Sequence, residues 1–310
     1  MLAYAAKRLL EAVPTTFGVL LLAFALFNLV GGSPAETALG KNATAETIAA
    51  FNAKYGYDKP LFFAADSQFV TFVANLFKGD LGYSVEYDEP VAAVLKRGVG
   101  PSLALALPVM AGGVLAALAT ALVACAFRGR FPDRAILALS ALLMSVNYVV
   151  WVLAGQFLFS FKAGLFPIWG CGGVEYFVLP VLIGIVSSLG MDIRFFRTAV
   201  LDEVYKPYVL AVRSKGVSRT WTMVRHVLRN SLVPIVTYVS LSIPYLFTGS
   251  LLLESFFGIP GLGSVSINAI QSSDMAVVRA VVVFGALVYQ AVNILTDIVC
   301  ASLDPRIRLS

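Results

Sequence analysis

Residues 101–126, PSLALALPVMAGGVLAALATALVACA, contain no charged side chain. An α-helix rises about 1.5 Å per residue, so a run of this length crosses a hydrocarbon layer of roughly 30 Å. Lipid offers the backbone no hydrogen-bond partner, and a long apolar run therefore pairs its own N–H and C=O groups as a helix. Further apolar runs lie at 9–31, 134–160, 174–198, 231–254 and 276–300, so six helical spans are expected. Composition agrees. Only 13% of the 310 residues are charged and the mean hydropathy is +0.84, whereas soluble domains carry about a quarter charged residues. The expected fold class is all-α, a polytopic membrane protein.

Lys7 and Arg8 ahead of an apolar run from about Thr15 to Val30 have the look of a signal peptide. The run is long for one and GGSPAETALG is a poor cleavage site, so an uncleaved first span is expected. Residues 32–98 form the largest polar segment, with mixed charges, and read as a small helical domain outside the membrane. Cys125, Cys171 and Cys300 are scattered, with neither zinc-site spacing nor a disulfide framework.

The net charge of +5 matters through its distribution. With the N-terminus inside, the inner segments hold 15 of the 23 Lys and Arg, and the outer ones hold 8 together with 11 of the 18 acids. Inner flanks of membrane proteins carry the excess of cations. Both termini are therefore expected in the cytoplasm, and residues 32–98 outside. A basic surface of this kind points to the bilayer, with no nucleic acid as a partner.

The longest inner loop, 199–230, holds PYVLAVRSKGVSRTWTMVRHVLRN, where five Lys or Arg occur without a carboxylate. Val204, Tyr208, Ala211 and Val212 share a helical face. Asp202 and Glu203 suit a helix N-terminus, Pro207 its first turn, and Gly216 a C-terminal stop. Ser218 reads as the N-cap of a second helix that runs on into the fifth span. Two readings follow: an amphipathic helix resting on anionic lipid, or a docking element for a cytoplasmic partner. The sharp glycine turn favours the second.

This loop resembles the signature loop of ABC-importer permeases, in which a glycine follows an EAA-like triplet. The match is YVLAVRSKGVS…VRHVLRNSLVPIV, with Ala211, Gly216 and Pro234 in register, although Leu210 and Val212 stand where the broad motif has Glu and Ala. GDLGYS at 79–84 with PVAAVLKRGVGPSLALAL, LLLESFFGIPGLG at 251–263 and NILTDIVCASLDPRIR at 293–308 resemble, in order, the dipeptide/oligopeptide/nickel branch in its B-type subunit. LDEVYKPYV and LFTGSLLLE are similar to its microcin C sub-branch.

The resemblance covers the whole chain. It implies six transmembrane helices of the type I importer-permease kind, with an extracytoplasmic insertion between the first two. The corresponding division is 1–31, an N-terminus and first helix; 32–98, the insertion; and 99–310, a permease core with a coupling loop at 199–230. It implies import of di- and oligopeptides across a bacterial inner membrane, with nickel chelates, glutathione and oligosaccharides using the same architecture. It also implies a second homologous permease, two ATP-binding subunits and an extracytoplasmic binding protein that meets the 32–98 insertion. Glu203, Tyr208, Ala211, Val212, Arg213 and Gly216 would then couple to the ATPases, with the 203–217 helix seated in a groove and Tyr208 and Val212 buried there.

Nothing matches G-x-x-x-x-G-K-[ST]. The chain is therefore expected not to be an enzyme and to hold no cofactor, with ATP and Mg on the partner subunits. The single histidine, His226, has no companion ligand in sequence and reads as an interfacial base, so no metal is expected.

Ionisable and polar groups in spans carry a functional reading by default. Glu254, Asn293 and Asp297 are candidates for the pathway or a gate, Glu254 just before a re-entrant turn at SFFGIPGLG. The structural alternative for the others is an interhelical bond, with Arg194 as a partner for Asp297. Asp192 and Arg194, read as ending span four, carry the same functional reading near the pathway or inner gate, and Asn147, Gln156 and Asn268 are further polar groups that could line a pathway. An ion-coupled secondary transporter is the competing class, but it would show internal repeats and mid-span acids. Here no repeat is visible and the acids read as lying near span ends.

Overall fold

In the computed structural model, residues 2–30, 35, 39, 44–55, 57–62, 64, 66–84, 86–218, 221–243 and 250–303 are described. The terminal Asp-Pro-Arg at 304–306 and the sequence GGSPAETALG, apart from Ala35 and Leu39, lie outside them. Helix α1 is Leu2–Val30. The insertion contributes α2 (Ala45–Tyr55) and α3 (Gln68–Phe77). It is not purely helical: β1 (Tyr83–Ser84) and β2 (Glu89–Pro90) pair antiparallel, Tyr83 opposite Pro90 and Ser84 opposite Glu89. The GDLGYS turn leads into this hairpin. Gly79 and Gly82 have φ of +76° and +91°, and the Gly82 N–H donates to Asp80 Oδ1 at 2.9 Å.

The core follows as α4 (Val91–Ala126), α5 (Phe131–Ser145) and α6 (Tyr148–Gly155), the last continued by π-helical turns over Gln156–Lys162. Next come α7 (Glu175–Val204) and α8 (Pro207–Ser214). Helix α9 (Leu228–Ser240) is entered through a π-helical segment, Thr222–Val227. The chain finishes with α10 (Leu251–Phe257), α11 (Leu262–Gln271) and α12 (Met275–Leu303).

Among the described residues four helices are long and apolar enough to cross a membrane unbroken, and there are up to six spans if each of two bent pairs is one. The expected span 134–160 is one of the bent pairs: α5 and α6 meet at 89°. Val146 and Asn147 are extended there, and Asn147 Oδ1 accepts from the Val149 N–H at 2.9 Å, capping α6. The expected span 231–254 is also not one helix. Helix α9 ends at Ser240, while α10 pairs with α11 at an 85° bend. Span four is longer than expected. Asp192 and Arg194 do not end it, because nothing in residues 195–204 breaks the helix and α7 runs on to Val204.

Helices α4 and α7 pack along each other at the centre. Leu105, Val152, Leu179, Ile183, Leu253, Phe257 and Ile259 are buried at one level, and Ala117, Ala121, Ile193, Phe196, Ala199 and Ile235 at another. Helix α1 lies on α12 through Leu20, Ala23 and Val283. Part of the insertion follows α1 as well: the Phe24 ring sits 5.3 Å from Phe69 and 5.6 Å from Phe72 of α3. The hairpin is tied to the start of α12, where Ser84 Oγ donates to Asp274 Oδ2 at 2.6 Å. Outward residues such as Leu22, Leu115 and Leu142 are more than half exposed, as a surface solvated by lipid tails requires.

Small residues set the closest approaches between helices. A Cβ at Gly190 of α7 would stand 2.7 Å from the Ser140 carbonyl oxygen of α5, a backbone atom that cannot swing aside. Gly190→Ala would raise intrinsic helix propensity by up to about 1 kcal/mol, yet the overpacking is expected to cost about 1–3 kcal/mol. The expected net result is a lower melting temperature in detergent. An unchanged or higher one would show that the α5–α7 contact is not limiting.

Candidate functional site

Between α4, α7 and α9 lies a cavity of about 450 Å³. Most of its wall is apolar, including Leu105, Val109, Met110 and Leu253, and its polar lining includes Ser187, Ser188, Asp192 and Tyr238. Ser188 and Asp192 stand at i, i+4 on α7 and so share a face. Asp192 Oδ1 accepts from the Tyr238 hydroxyl at 2.9 Å. The Tyr238 ring stacks on Phe195 with centroids 4.1 Å apart and meets Phe196 edge-on at 5.9 Å. An acid therefore lies well inside a span and faces the cavity, contrary to the expectation that the acids sit near span ends. The Ser188–Asp192 spacing within an apolar run was the signal that would have found it.

Helix α7 carries the cavity lining directly to a corner at its far end. From Asp192 to Glu203 is about 16 Å along the axis at 1.5 Å per residue. The expected single helix over 203–217 is broken at this point. Lys206 is extended (φ −69°, ψ 145°) ahead of Pro207, the geometry a following proline imposes. Asp202 and Glu203 accordingly close α7 and do not open α8.

Glu203 is buried and holds the corner together. Its Oε2 accepts from the Tyr208 hydroxyl at 2.9 Å, its Oε1 pairs with the Lys206 ammonium, and its carbonyl accepts the Lys206 N–H at 3.2 Å. Burial, aided by the Glu203 carboxylate, pushes the Tyr208 hydroxyl above its ordinary range, so it is a neutral donor near pH 7. Val209 is buried with Cys125, Val200 and Val227, and Tyr208 packs against that cluster.

Tyr208, expected to bury against a partner, is thus turned into the chain's own core. Val212 is half-buried, whereas Leu210 is 73% exposed and Ala211 and Arg213 are also outward. The rim beside this corner is braced too. Asp133 accepts from Arg197 Nε and an Arg197 terminal nitrogen at 2.8 and 2.9 Å, and from the Gly129 N–H at 2.8 Å. Gly216 has φ +81°, and Ser218 caps the next segment by accepting from the Trp221 N–H at 3.3 Å, both as the sequence indicates.

Asp192 lines the cavity, whereas Glu254, Asn293 and Asp297 do not. Glu254 is fully buried and accepts four hydrogen bonds. These come from the Ser102 hydroxyl (2.8 Å) and the Ser250 N–H (3.1 Å) at Oε1, and from the Gly263 (2.6 Å) and Ser264 (3.2 Å) N–H groups at Oε2. It therefore caps α11 and is closed to a passing solute. Asp297 pairs with Arg8 Nε of α1 at 3.2 Å and not with the exposed Arg194. Asn293 is half-buried on the same helix. Gln156 straps α6 to the Ile168 and Phe256 carbonyls at 2.9 Å each, and Asn147 is the α6 cap. Asn268 is exposed. Among the described residues no group of three or more His, Cys, Asp or Glu could hold a metal ion.

The Glu254 cluster makes a definite demand. In Glu254→Gln one carboxylate oxygen becomes an NH₂ that faces backbone donors. The expected loss is about 1–3 kcal/mol, a penalty for leaving buried groups unpaired. Less monodisperse protein should be recovered by size exclusion in detergent; wild-type recovery and melting would contradict the capping role.

Residues 109–309 match the family described as Binding-protein-dependent transport system inner membrane component, and residues 1–103 match Binding-prot-dependent transport system membrane comp, N-term. The sequence is 32% identical to the glutathione transport system permease protein GsiC of Shigella flexneri serotype 5b. It is 31% identical to that of Escherichia coli strain K12, and each alignment covers 99% of both chains. The fold is similar to a chain of the MetNI methionine ABC transporter in an inward-facing conformation. The TM-score is 0.57 at 16% identity, over 68% of this chain and 96% of that one. The chain belongs to the binding-protein-dependent transport system inner membrane component family, as a multi-pass permease subunit of an ABC importer with the type I fold.

Proposed function

We propose that this chain forms half of the translocation pathway for small peptides, of the size of a tripeptide, and that ATP-binding partners drive it through α8. Both termini and the 199–230 loop face the cytoplasm in this reading, and the insertion faces an extracytoplasmic binding protein. The observation that carries the reading is the continuity of α7, which lines the cavity at Ser187, Ser188 and Asp192 and is locked to α8 through Glu203. A displacement of α8 therefore reaches the cavity wall through one helix. The volume supports a small solute, since pockets of about 300–1,000 Å³ enclose drug-sized molecules. The relatives named for glutathione transport support a peptide as that solute.

In this mechanism the outward face of α8, with Leu210, Ala211 and Arg213, seats in a groove of an ATP-binding subunit. Closure of the two ATP-binding subunits moves α8 as a lever, with Gly216 as the turn that lets the chain return to the membrane. Nucleotide and Mg stay on the partner subunits, and a second, homologous permease closes the other side of the pathway.

Proteoliposomes holding this chain with its partner permease, ATP-binding subunits and binding protein should take up labelled tripeptide only with ATP inside and outside-facing binding protein. Uptake without nucleotide, or by this chain alone, would overturn the reading. Leu210→Glu should weaken co-purification of the ATP-binding subunits by the about 2 kcal/mol or more typical of a central apolar anchor. Gly216→Val places a β-branched residue at positive φ, a cost of about 1–2 kcal/mol, with nothing within 4 Å of the added Cβ to confuse the result. Uptake should fall while the assembled complex is retained; full uptake by either variant would dismiss α8 as the coupling element.

A further inference from the structure

Asp192 is the one charged side chain among the described residues that line the cavity. Its carboxylate is half-buried and only partly satisfied. Oδ1 takes the Tyr238 proton at 2.9 Å, and Oδ2 accepts no hydrogen bond from a described residue. A carboxylate has about four acceptor sites, so most of its capacity is open. Opposite it stands Gly113 of α4, where an added Cβ would touch Ser188 Oγ at 3.4 Å and Asp192 Oδ2 at 4.0 Å, so backbone without a side chain faces the acid.

The neighbouring hydroxyls are committed in the same sense. Ser187 donates to the Gly184 carbonyl at 2.8 Å and Ser188 to the Ile185 carbonyl at 3.3 Å. Their protons are used, and what they present to the cavity is lone pairs. Tyr238 spends its proton on Asp192 and is held by its stacking on Phe195. The polar patch on α7 is therefore an array of acceptors with one negative charge, inside a mostly apolar wall.

The complement of that array is a group with several donors, a positive charge and no acceptor. A primary ammonium has three donors and no acceptor, and a peptide's α-amino group is largely protonated at neutral pH. A carboxylate or phosphate would meet repulsion from Asp192 and find no cationic partner among the described lining residues. We propose that Asp192 reads the ammonium of the passing peptide, with Ser187 and Ser188 as neutral acceptors beside it. The assignment rests on the peptide reading above and adds the end of the peptide that this half of the pathway recognises. Near apolar walls a charge-assisted contact is stronger than a neutral one, so losing it acts on passage rather than on assembly.

The test uses the complete transporter in proteoliposomes with saturating loaded binding protein. It compares wild type, Asp192→Asn and Asp192→Glu on a free-amine tripeptide and on its N-acetyl derivative. Asn keeps an acceptor for Tyr238, removes the charge and turns the other carboxylate oxygen into an NH₂ donor. Initial uptake of the free-amine peptide by Asp192→Asn should fall about tenfold or more, as expected for losing a hydrogen bond to a charged group. Asp192→Glu, which keeps the charge, should lose less uptake than Asp192→Asn, and both variants should co-purify as the complete complex. Any uptake of the N-acetyl peptide should be insensitive to Asp192→Asn.

Wild-type uptake by Asp192→Asn would overturn the assignment. So would an equal loss of both peptides, a loss in Asp192→Glu matching that in Asp192→Asn, or failure of the variants to assemble the complex. Absence of ATP-dependent peptide uptake by wild type is a separate outcome. It would remove the peptide reading and, with it, the ammonium assignment.

Discussion

A carboxylate buried in the apolar part of a membrane protein is costly unless every lone pair is used. Glu254 meets that condition with four donors: the Ser102 hydroxyl, the Ser250 N–H ahead of α10, and the Gly263 and Ser264 N–H groups at the start of α11. A helix that starts within the bilayer leaves its first amides unpaired, and Glu254 takes two of those at α11. Ser102 completes the arrangement by donating to Glu254 while accepting the Leu262 N–H at 2.8 Å. The 85° bend is thereby pinned to α4, the helix that forms one wall of the cavity. Glycines are required around it for a steric reason: a Cβ at Gly261 or Gly263 would come within 2.4 or 2.8 Å of Glu254 Oε2.

The other right-angle break follows the same rule with a weaker group. Asn147 caps α6 where α5 stops, and Gln156 returns the far end of α6 to the Phe256 carbonyl of α10. The two broken elements therefore support each other at one end of the molecule. Helices α4 and α7 run unbroken between them and the opposite end. In the proposed mechanism, the bends at one level and the continuous α7 carry a movement at α8 to the cavity.

The lower corner is electrostatic where the rest is apolar. Glu203 with Lys206 and Tyr208, and Asp133 with Arg197 and the Gly129 amide, tie the ends of α4, α5, α7 and α8 into one unit. The Glu203 contacts lie at and just ahead of Tyr208, where the resemblance to the importer signature loop begins. The deviation of that motif at Leu210 then has a spatial meaning, since Leu210 is the apolar side chain that α8 turns outward. Tyr208, on the same short helix, belongs to the fold.

The sequence alone determined that the chain is a polytopic helical membrane protein with a helical stop at Gly216 and a cap at Ser218. Those features are local: apolar run length, cation bias, a residue that tolerates positive φ, and a side chain that reaches its own backbone. The family was legible for the same reason, through short motifs in order. Which polar group faces which neighbour was not local. Asp297 found Arg8, Glu254 found Ser102 and the start of α11, and Asp192 came to face the cavity, through contacts between residues far apart in the chain. The break in span three is capped by its own Asn147, whereas the bend between α10 and α11 draws on Ser102 of α4, which accepts the Leu262 N–H. Hydropathy reports what a segment can bury, but only tertiary packing decides which buried groups meet and which one is left open to a solute.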